Sequence, residues 1–136
     1  MTKWTFSGVV LCGILIAGTS LQAHHSLAGA YALGKEAKIT GAFTAFRLVN
    51  PHSSLKLEVK DPDGKVREWS ITGGSVTALA RFGIGGRNAD GPNALHVGDE
   101  ITVTYTPAAD GKSPIGLLVA ITYKDGHTVR FRSPDE

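Results

Sequence analysis

Cysteine is nearly absent from this chain of 136 residues, since Cys12 is the only one and lies in an apolar run near the N-terminus. No cysteine follows it, so residues 13–136 exclude an internal disulfide, a cysteine-ligated zinc ion and an iron–sulfur cluster. An excess of one charge is also missing, because 14 Lys and Arg stand against 12 Asp and Glu. Without a basic run or basic residues interleaved with aromatic ones, the chain lacks the sequence features of a nucleic-acid-binding protein.

Motifs of the common enzyme classes are missing as well. No Gly-x-Ser-x-Gly motif occurs, which argues against the nucleophile elbow of an α/β-hydrolase. The glycine-rich stretch at Gly83 follows a predicted helix, whereas a phosphate-binding loop opens one. Glu58 and Glu68 alternate with apolar residues on neighbouring predicted strands, which is typical of a solvated sheet face. We therefore assign no catalytic residue.

The first 23 residues have the layout of a secretory signal peptide. Lys3 supplies the positive charge, residues 9–17 form the apolar core, and Ala23 is the small residue before the predicted cut. The apolar core is shorter than the roughly 20 residues that a membrane-spanning helix needs. We therefore expect a periplasmic or secreted protein with no membrane span after cleavage. The predicted organisation is a signal peptide at 1–23, an N-terminal arm at 24–37, a β-barrel at 38–132 and a polar tail at 133–136.

The rest of the sequence has the pattern of short strands. Apolar residues alternate with polar ones in several segments, and 17 glycines favour turns between them. Asp-Pro-Asp-Gly at 61–64 predicts a tight turn that joins two of these segments into a hairpin. A short helix should begin after its N-cap, Ser75, and end at Gly83. The predicted strands cover residues 38–49, 54–60, 66–71, 101–105, 116–123 and 128–131.

This order of elements predicts an all-β domain with one short helix. Three strands, a helix and then two or three further strands follow the order of the oligonucleotide/oligosaccharide-binding (OB) barrel. A small five- to six-stranded OB-like barrel is therefore the preferred fold. A β-sandwich or meander is the alternative, and the position of the helix favours the barrel over it.

Several short motifs resemble those of one protein family. They are Ala-His-His-Ser at 23–26, Asn-Pro-His at 50–52, Trp69 in the second hairpin strand, Gly-Ser at 74–75 and Gly-Asp at 98–99. In these motifs the chain resembles small exported bacterial proteins of an uncharacterised family, a domain of unknown function. The resemblance implies export and a small β-rich domain, but no activity. The glycine-rich stretch at 83–93 departs from the pattern of that family.

Two histidines at the predicted mature N-terminus indicate a metal site. Cleavage after Ala23 would make His24 the first residue, and both its α-amine and its ring nitrogen can bind one ion. An α-amine has a reference pKa of about 8, so it is available near neutral pH. One further imidazole completes a three-nitrogen histidine brace, which suits copper. His52, just after a proline, is the preferred third ligand, and His25 replaces or supplements it.

Other interpretations of these histidines stay open. Cleavage after Gln22 would leave Ala-His-His at 23–25, whose amine, two amide nitrogens and imidazole form a square-planar copper or nickel site. Histidines at a mature terminus are also often only solvated, and Asn-Pro-His at 50–52 is typical of a turn. His96 and His127 lie in predicted turns and are interpreted as surface residues.

A function without a metal ion is the alternative. A non-catalytic OB-like module would hold a polypeptide or a glycan of the cell envelope on one face of the barrel. Aromatic side chains would stack on such a ligand, although at strand spacing they more often pack in the core. The aromatic candidates are Tyr31, Phe43, Phe46, Trp69, Tyr105 and Tyr123.

Overall fold

The computed structural model describes residues 29–85 and 90–132, which form one sheet and a short helix. The elements are β1 (Ala37–Arg47), β2 (Ser54–Lys60), β3 (Val66–Thr72), α1 (Val76–Arg81), β4 (Glu100–Pro107), β5 (Ile115–Thr122) and β6 (Thr128–Arg130). Each element begins and ends within two residues of the position that the alternating pattern and the turn residues predict.

The sheet closes on itself into a barrel. Hydrogen-bonded neighbours run in the order β3-β2-β1-β4-β5-β6, and β3 also pairs with β5. The β3–β5 pairing is parallel, with Ser70 opposite Ile115 and Thr72 opposite Leu117. Five strands in this order, with a helix between β3 and β4, form an OB-like barrel to which β6 is added along β5. The predicted fold class is confirmed, and the sandwich or meander alternative is wrong because neither closes its sheet.

The hairpin of β2 and β3 forms as its sequence predicts. Its register is regular from Lys60 opposite Val66 to Ser54 opposite Thr72. Gly64 has a φ of +84°, which strongly favours glycine, and its N–H donates to the Asp61 carbonyl oxygen at 2.8 Å. The alternation of side chains along β2 therefore sends one set into the barrel and the other into solvent.

The barrel interior is apolar. Leu57, Ile71, Val103 and Ile121 come from four different strands, and each has 0% of its surface exposed. The six aromatic candidates also belong to this core: Tyr31, Phe43 and Tyr105 are buried, and Phe46, Trp69 and Tyr123 pack partly buried against it. The core interpretation of these aromatic residues is therefore confirmed.

The helix α1 has the predicted caps. The Ser75 hydroxyl accepts a hydrogen bond from the Ala78 N–H at 3.1 Å, which satisfies one of the free donors of the first turn. Gly83, with a φ of +76°, ends the helix and donates its N–H to the Ala80 carbonyl oxygen. Leu79 is the helical side chain that enters the core. Within residues 29–85 and 90–132, no helix has the length and apolarity needed to cross a membrane.

Candidate functional site

The loop between β1 and β2 contains the Asn-Pro-His motif. Its Asn50–Pro51 peptide bond is cis. Asn50 Oδ1 accepts a hydrogen bond from the Val76 N–H at 3.1 Å, so this side chain caps the first turn of α1 together with Ser75. The asparagine therefore has a structural role, because it ties the loop to a helix that begins 26 residues later.

Ser53 holds the other end of this loop. The residue is fully buried, with an exposed fraction of 0%. Its N–H donates to the Gly74 carbonyl oxygen at 2.9 Å, its carbonyl oxygen accepts from the Gly73 N–H at 2.7 Å, and its hydroxyl donates to the Val49 carbonyl oxygen at 3.2 Å. Since the loop is attached on both sides of Pro51 and the following histidine, these two residues are presented at a defined position.

His52 is exposed on this loop. In the described part of the chain its ring has no hydrogen-bond or ion-pair partner, in contrast to His96 and His127, which each pair with an aspartate. A neutral imidazole without partners keeps one ring nitrogen free to bind a metal ion. His52 therefore has a ring nitrogen that is available to bind a metal ion.

Tyr31 attaches the N-terminal arm to the barrel. Its backbone forms an antiparallel bridge with Ala108, and the Ala32 N–H donates to the Pro107 carbonyl oxygen at 2.9 Å. The buried Tyr31 side chain extends to β3, where its hydroxyl forms a hydrogen bond with Thr72 Oγ1 at 3.0 Å. The sequence indicates Tyr31 only as an aromatic candidate, because nothing near it in the sequence identifies a partner 41 residues away.

The anchored arm and His52 lie at the same end of the barrel. Thr72, the partner of the Tyr31 hydroxyl, is the last residue of β3 and lies opposite Ser54, the first residue of β2. His52 precedes Ser54 by two residues. Neighbouring strands are about 4.8 Å apart. The path from the Tyr31 hydroxyl to His52 therefore crosses one interstrand spacing, from Thr72 to Ser54, and then follows two residues of the chain.

Two of the three predicted copper ligands, His24 and His25, lie outside the described residues. Within the described ranges, no group of three or more His, Cys, Asp or Glu side chains is arranged to hold a metal ion. His52 contributes one exposed imidazole. The attachment point of the arm, at Tyr31, lies near His52.

The outer face of β2 and β3, on which OB folds commonly bind their ligands, is polar. Lys56 Nζ forms an ion pair with Glu68 at 2.7 Å, and Glu58 is exposed beside them. Trp69 instead packs against the core residue Tyr105, with their ring centroids 5.3 Å apart. The outer face of these two strands, both fully described, therefore offers no aromatic ring on which a base or a sugar could stack.

A second cluster forms where the β5–β6 hairpin meets the segment that precedes β4. His127 Nδ1 lies 2.6 Å from Asp125 Oδ1, and its ring stacks on Tyr123 with centroids 4.2 Å apart and an interplanar angle of 6°. His127 Nε2 lies 3.0 Å from Asn93 Oδ1. The sequence around His127 indicates a surface turn at 124–127 and does not reveal these contacts, because Asn93 is 34 residues away.

A cavity of about 280 Å³ lies beside this cluster. Asp99 and Glu100, at the start of β4, line it together with Tyr123, Asp125 and His127. Burial, and secondarily the charge of Asp99, raise the pKa of Tyr123 to about 12. Hydrogen bonds from the backbone N–H and the ring of His127 lower the pKa of Asp125. At neutral pH the cluster therefore contains a neutral phenol and a charged carboxylate.

Comparisons with known proteins give a family and a similar structure. The family model described as "Family of unknown function (DUF6152)" matches residues 12–117 of this chain. No curated protein matches this chain. A crystal structure of the mitochondrial single-stranded DNA-binding protein Rim1 from S. cerevisiae is similar, with 12% identity and a TM-score of 0.47, over 66% of this chain and 93% of that one. The assignment of the barrel rests on the strand pairing described above.

Proposed function

Since this chain belongs to DUF6152, a family of unknown function, we propose a function from its own side chains: an exported binding module that holds one copper ion through His24, His25 and His52. The export part of the proposal rests on the signal-peptide layout of residues 1–23. The metal part rests on the chemistry of the histidines and on the position of the arm.

The observation that carries the copper proposal is the attachment of the arm at the His52 end of the barrel. Tyr31 is held there by its bridge to Ala108 and by its hydrogen bond to Thr72. His25 precedes Tyr31 by six residues, and Gly29 and Ala30 between them are helical. With about 3.3 Å per extended residue and 1.5 Å per helical one, this segment spans roughly 16 Å. The length of the arm is therefore sufficient to bring the N-terminal histidines to the exposed His52 ring.

The donor set fits copper. After cleavage behind Ala23, the α-amine and the ring of His24 would bind as a chelate, and His52 would supply the third nitrogen. Such a site has only nitrogen donors, which suit Cu(II) in a tetragonal or T-shaped geometry. Cleavage behind Gln22 would move the site to the amine, two amides and the His25 ring, and His52 would then be dispensable. The two arrangements differ in their requirement for His52.

The proposal is tested by determining the mature N-terminus and the Cu(II) affinity of the protein purified from its exporting host. Intact-mass analysis should show a chain that begins at His24, and calorimetric titration should show one Cu(II) per chain. The variant His52→Ala should weaken Cu(II) binding about tenfold or more, because loss of even a group that only orients a ligand costs that much. His96→Ala should bind as the wild type does, since His96 pairs with Asp99 away from the arm.

Two outcomes would contradict the copper proposal. A mature chain that begins at Leu27 or later lacks both N-terminal histidines. Equal, weak Cu(II) binding by the wild type and by His24→Ala would show that these nitrogens do not form a site. Strong binding that depends on His25 but not on His52 would assign the square-planar arrangement instead.

The second candidate is a non-catalytic module that holds a polypeptide or glycan of the cell envelope. The closed OB-like barrel favours it, because this architecture commonly presents a ligand-binding face. For this candidate, His24→Ala and His52→Ala should leave binding of the partner unchanged. Charge reversal at Lys56, on the outer face of β2, should reduce it.

A further inference from the structure

Asn93 connects three parts of the molecule at the His127 cluster. Its side-chain Nδ2 donates to the Phe82 carbonyl oxygen at the end of α1, at 2.7 Å. The backbone carbonyl oxygen of Asn93 accepts from the Tyr123 hydroxyl, also at 2.7 Å. Its Oδ1 lies 3.0 Å from His127 Nε2. We name Asn93, Tyr123, Asp125 and His127 the Asn93 latch, because they join the segment before β4 to the β5–β6 hairpin.

The orientation of the Asn93 amide follows from its neighbours. A flipped amide would place Oδ1 at 2.7 Å from the Phe82 carbonyl oxygen, so that two acceptors would face each other. Nδ2 therefore faces Phe82, and Oδ1 faces the ring of His127. Since an amide oxygen can only accept a hydrogen bond, His127 Nε2 must carry a proton and donate it.

The other ring nitrogen must donate as well. His127 Nδ1 lies 2.6 Å from Asp125 Oδ1, and the same oxygen accepts the His127 backbone N–H at 3.0 Å. An ionised carboxylate has no proton to donate. A neutral imidazole has a single ring N–H, so a ring that donates from both nitrogens is the positively charged imidazolium.

We infer that the Asn93 latch is closed only while His127 is positively charged, and that loss of one ring proton releases the Asn93 side chain. The proton leaves from Nε2, because a proton kept on Nδ1 retains the charge-assisted hydrogen bond to the Asp125 carboxylate, whereas the other neutral tautomer would turn the Nδ1 lone pair toward that carboxylate. The Nε2 lone pair then faces Asn93 Oδ1, which makes this contact repulsive. If the amide turns its Nδ2 toward the ring instead, it loses the hydrogen bond to Phe82. In both cases the Asn93 side chain loses one of its two hydrogen bonds, to Phe82 or to His127.

Histidine is the side chain that changes charge between pH 5 and 8. The other titratable groups that line the cavity beside the ring are Tyr123, Lys124 and Asp125 on the hairpin and Asp99 and Glu100 at the start of β4. Burial raises the pKa of Tyr123 to about 12, and hydrogen bonds from His127 lower the pKa of Asp125. The two titratable partners of the ring in the latch thus keep their protonation state across this range.

Opening of the latch would change the walls of two cavities. Pro92, next to Asn93, lines the cavity of about 280 Å³ beside His127. Pro92 and Asn93 also line a second cavity, of about 440 Å³, at the end of α1. The protonation state of one histidine is thereby coupled to the shape of both cavities. None of the latch residues is a proposed copper ligand, so this inference stands apart from the proposed function.

Nuclear magnetic resonance of the isotope-labelled full chain, without copper, tests the inference between pH 5 and 8.5. At pH 5 both ring nitrogens of His127 should be protonated. As the ring loses a proton, the Asn93 side-chain NH₂ signals should shift with the same midpoint. Their exchange with water, corrected for pH, should become about tenfold faster, as expected for the loss of one hydrogen bond. Asn93 signals that stay constant while His127 titrates would overturn the inference, as would a singly protonated ring at pH 5.

Two matched variants separate the latch from a general effect of pH. In His127→Gln the Asn93 signals should no longer respond between pH 5 and 8.5. In His96→Gln the response should be that of the wild type, because His96 pairs with Asp99 and has no hydrogen bond to Asn93. A response that persists in His127→Gln, or disappears in His96→Gln, would show that another group controls Asn93.

Discussion

At the scale of single residues, the barrel depends on positions where no side chain fits. Gly116 on β5 is buried opposite Pro107 of β4 and Ile71 of β3. A Cβ atom at this position would lie 3.1 Å from Ile71 Cδ1 and 2.9 Å from Tyr105 Cγ. The Tyr105 ring can occupy the space beside β5 only because Gly116 leaves it empty. This is a steric requirement of the closed barrel, since it involves three strands at once.

The variant Gly116→Ala should therefore be destabilised by about 1–3 kcal/mol, because overpacking forces side chains and backbone out of their favoured positions. Urea unfolding followed by tryptophan fluorescence measures this loss. Gly29→Ala is the matched control, since a Cβ at Gly29 meets nothing within 4 Å. The control should stay within about 0.5 kcal/mol of the wild type. Equal stability of both variants would contradict the packing argument.

At the scale of elements, short side-chain caps define the turns that join the strands. In the loop between β4 and β5, Asp110 Oδ1 accepts hydrogen bonds from the Lys112 and Ser113 N–H groups, each at 2.9 Å. Asp110 Oδ2 accepts from the Ser113 hydroxyl at 2.5 Å. These bonds, led by that of the Ser113 hydroxyl, lower the pKa of Asp110 to about 2. The turn therefore prefers the charged carboxylate.

This preference predicts a pH dependence of stability. A carboxyl whose pKa is lower in the folded than in the unfolded chain stabilises the fold above the unfolded value of about 3.9, and the effect is lost as the pH falls toward the folded value. The stability difference between the wild type and Asp110→Asn should therefore shrink when the pH is lowered from 6 to 2. Urea midpoints at several pH values measure it. The stability difference between the wild type and Ser113→Ala should also shrink over this pH range, but by less. A difference between the wild type and Asp110→Asn that stays constant from pH 6 to 2 would contradict the prediction.

At the scale of the whole molecule, contacts between distant segments close the barrel and attach the arm. The parallel pairing of β3 with β5 completes the ring of strands, and the Tyr31 hydroxyl adds a hydrogen bond to Thr72 at the end of β3. The ion pair of Glu36 with Arg130, at 2.7 Å, joins the residue before β1 to β6. The segment before β1 is thus attached to both β3 and β6.

The bond between Tyr31 and Thr72 can be measured with a double-mutant cycle. Tyr31→Phe and Thr72→Val should each cost about 1 kcal/mol, and the double variant should cost little more than either, because both remove the same hydrogen bond. The exposed hydroxyl pair of Thr40 and Thr102, 2.8 Å apart, is the control. Its coupling should be smaller, since water replaces the lost partner. Strictly additive effects at Tyr31 and Thr72 would show that the hydroxyls do not interact.

Much of this fold was predictable from local patterns. The alternation in β2 and β3, the turn at 61–64 and the cap at Ser75 each involve residues close together in the chain, so their structural preference is visible in the sequence. The order of the elements then favoured an OB-like barrel. The candidate site was predicted less completely, because the sequence identified His52 but did not indicate the arm contact at Tyr31.

The sequence by itself determined the strands, the helix and the presence of an exposed Asn-Pro-His loop, because hydrophobic period and turn residues act over a few neighbouring positions. Only the tertiary structure decided that Tyr31 meets Thr72 and that Asn93 meets His127. These pairs form when barrel closure brings together segments 41 and 34 residues apart. A hydrogen bond between such segments depends on the geometry of every strand between them, and no local pattern records that geometry.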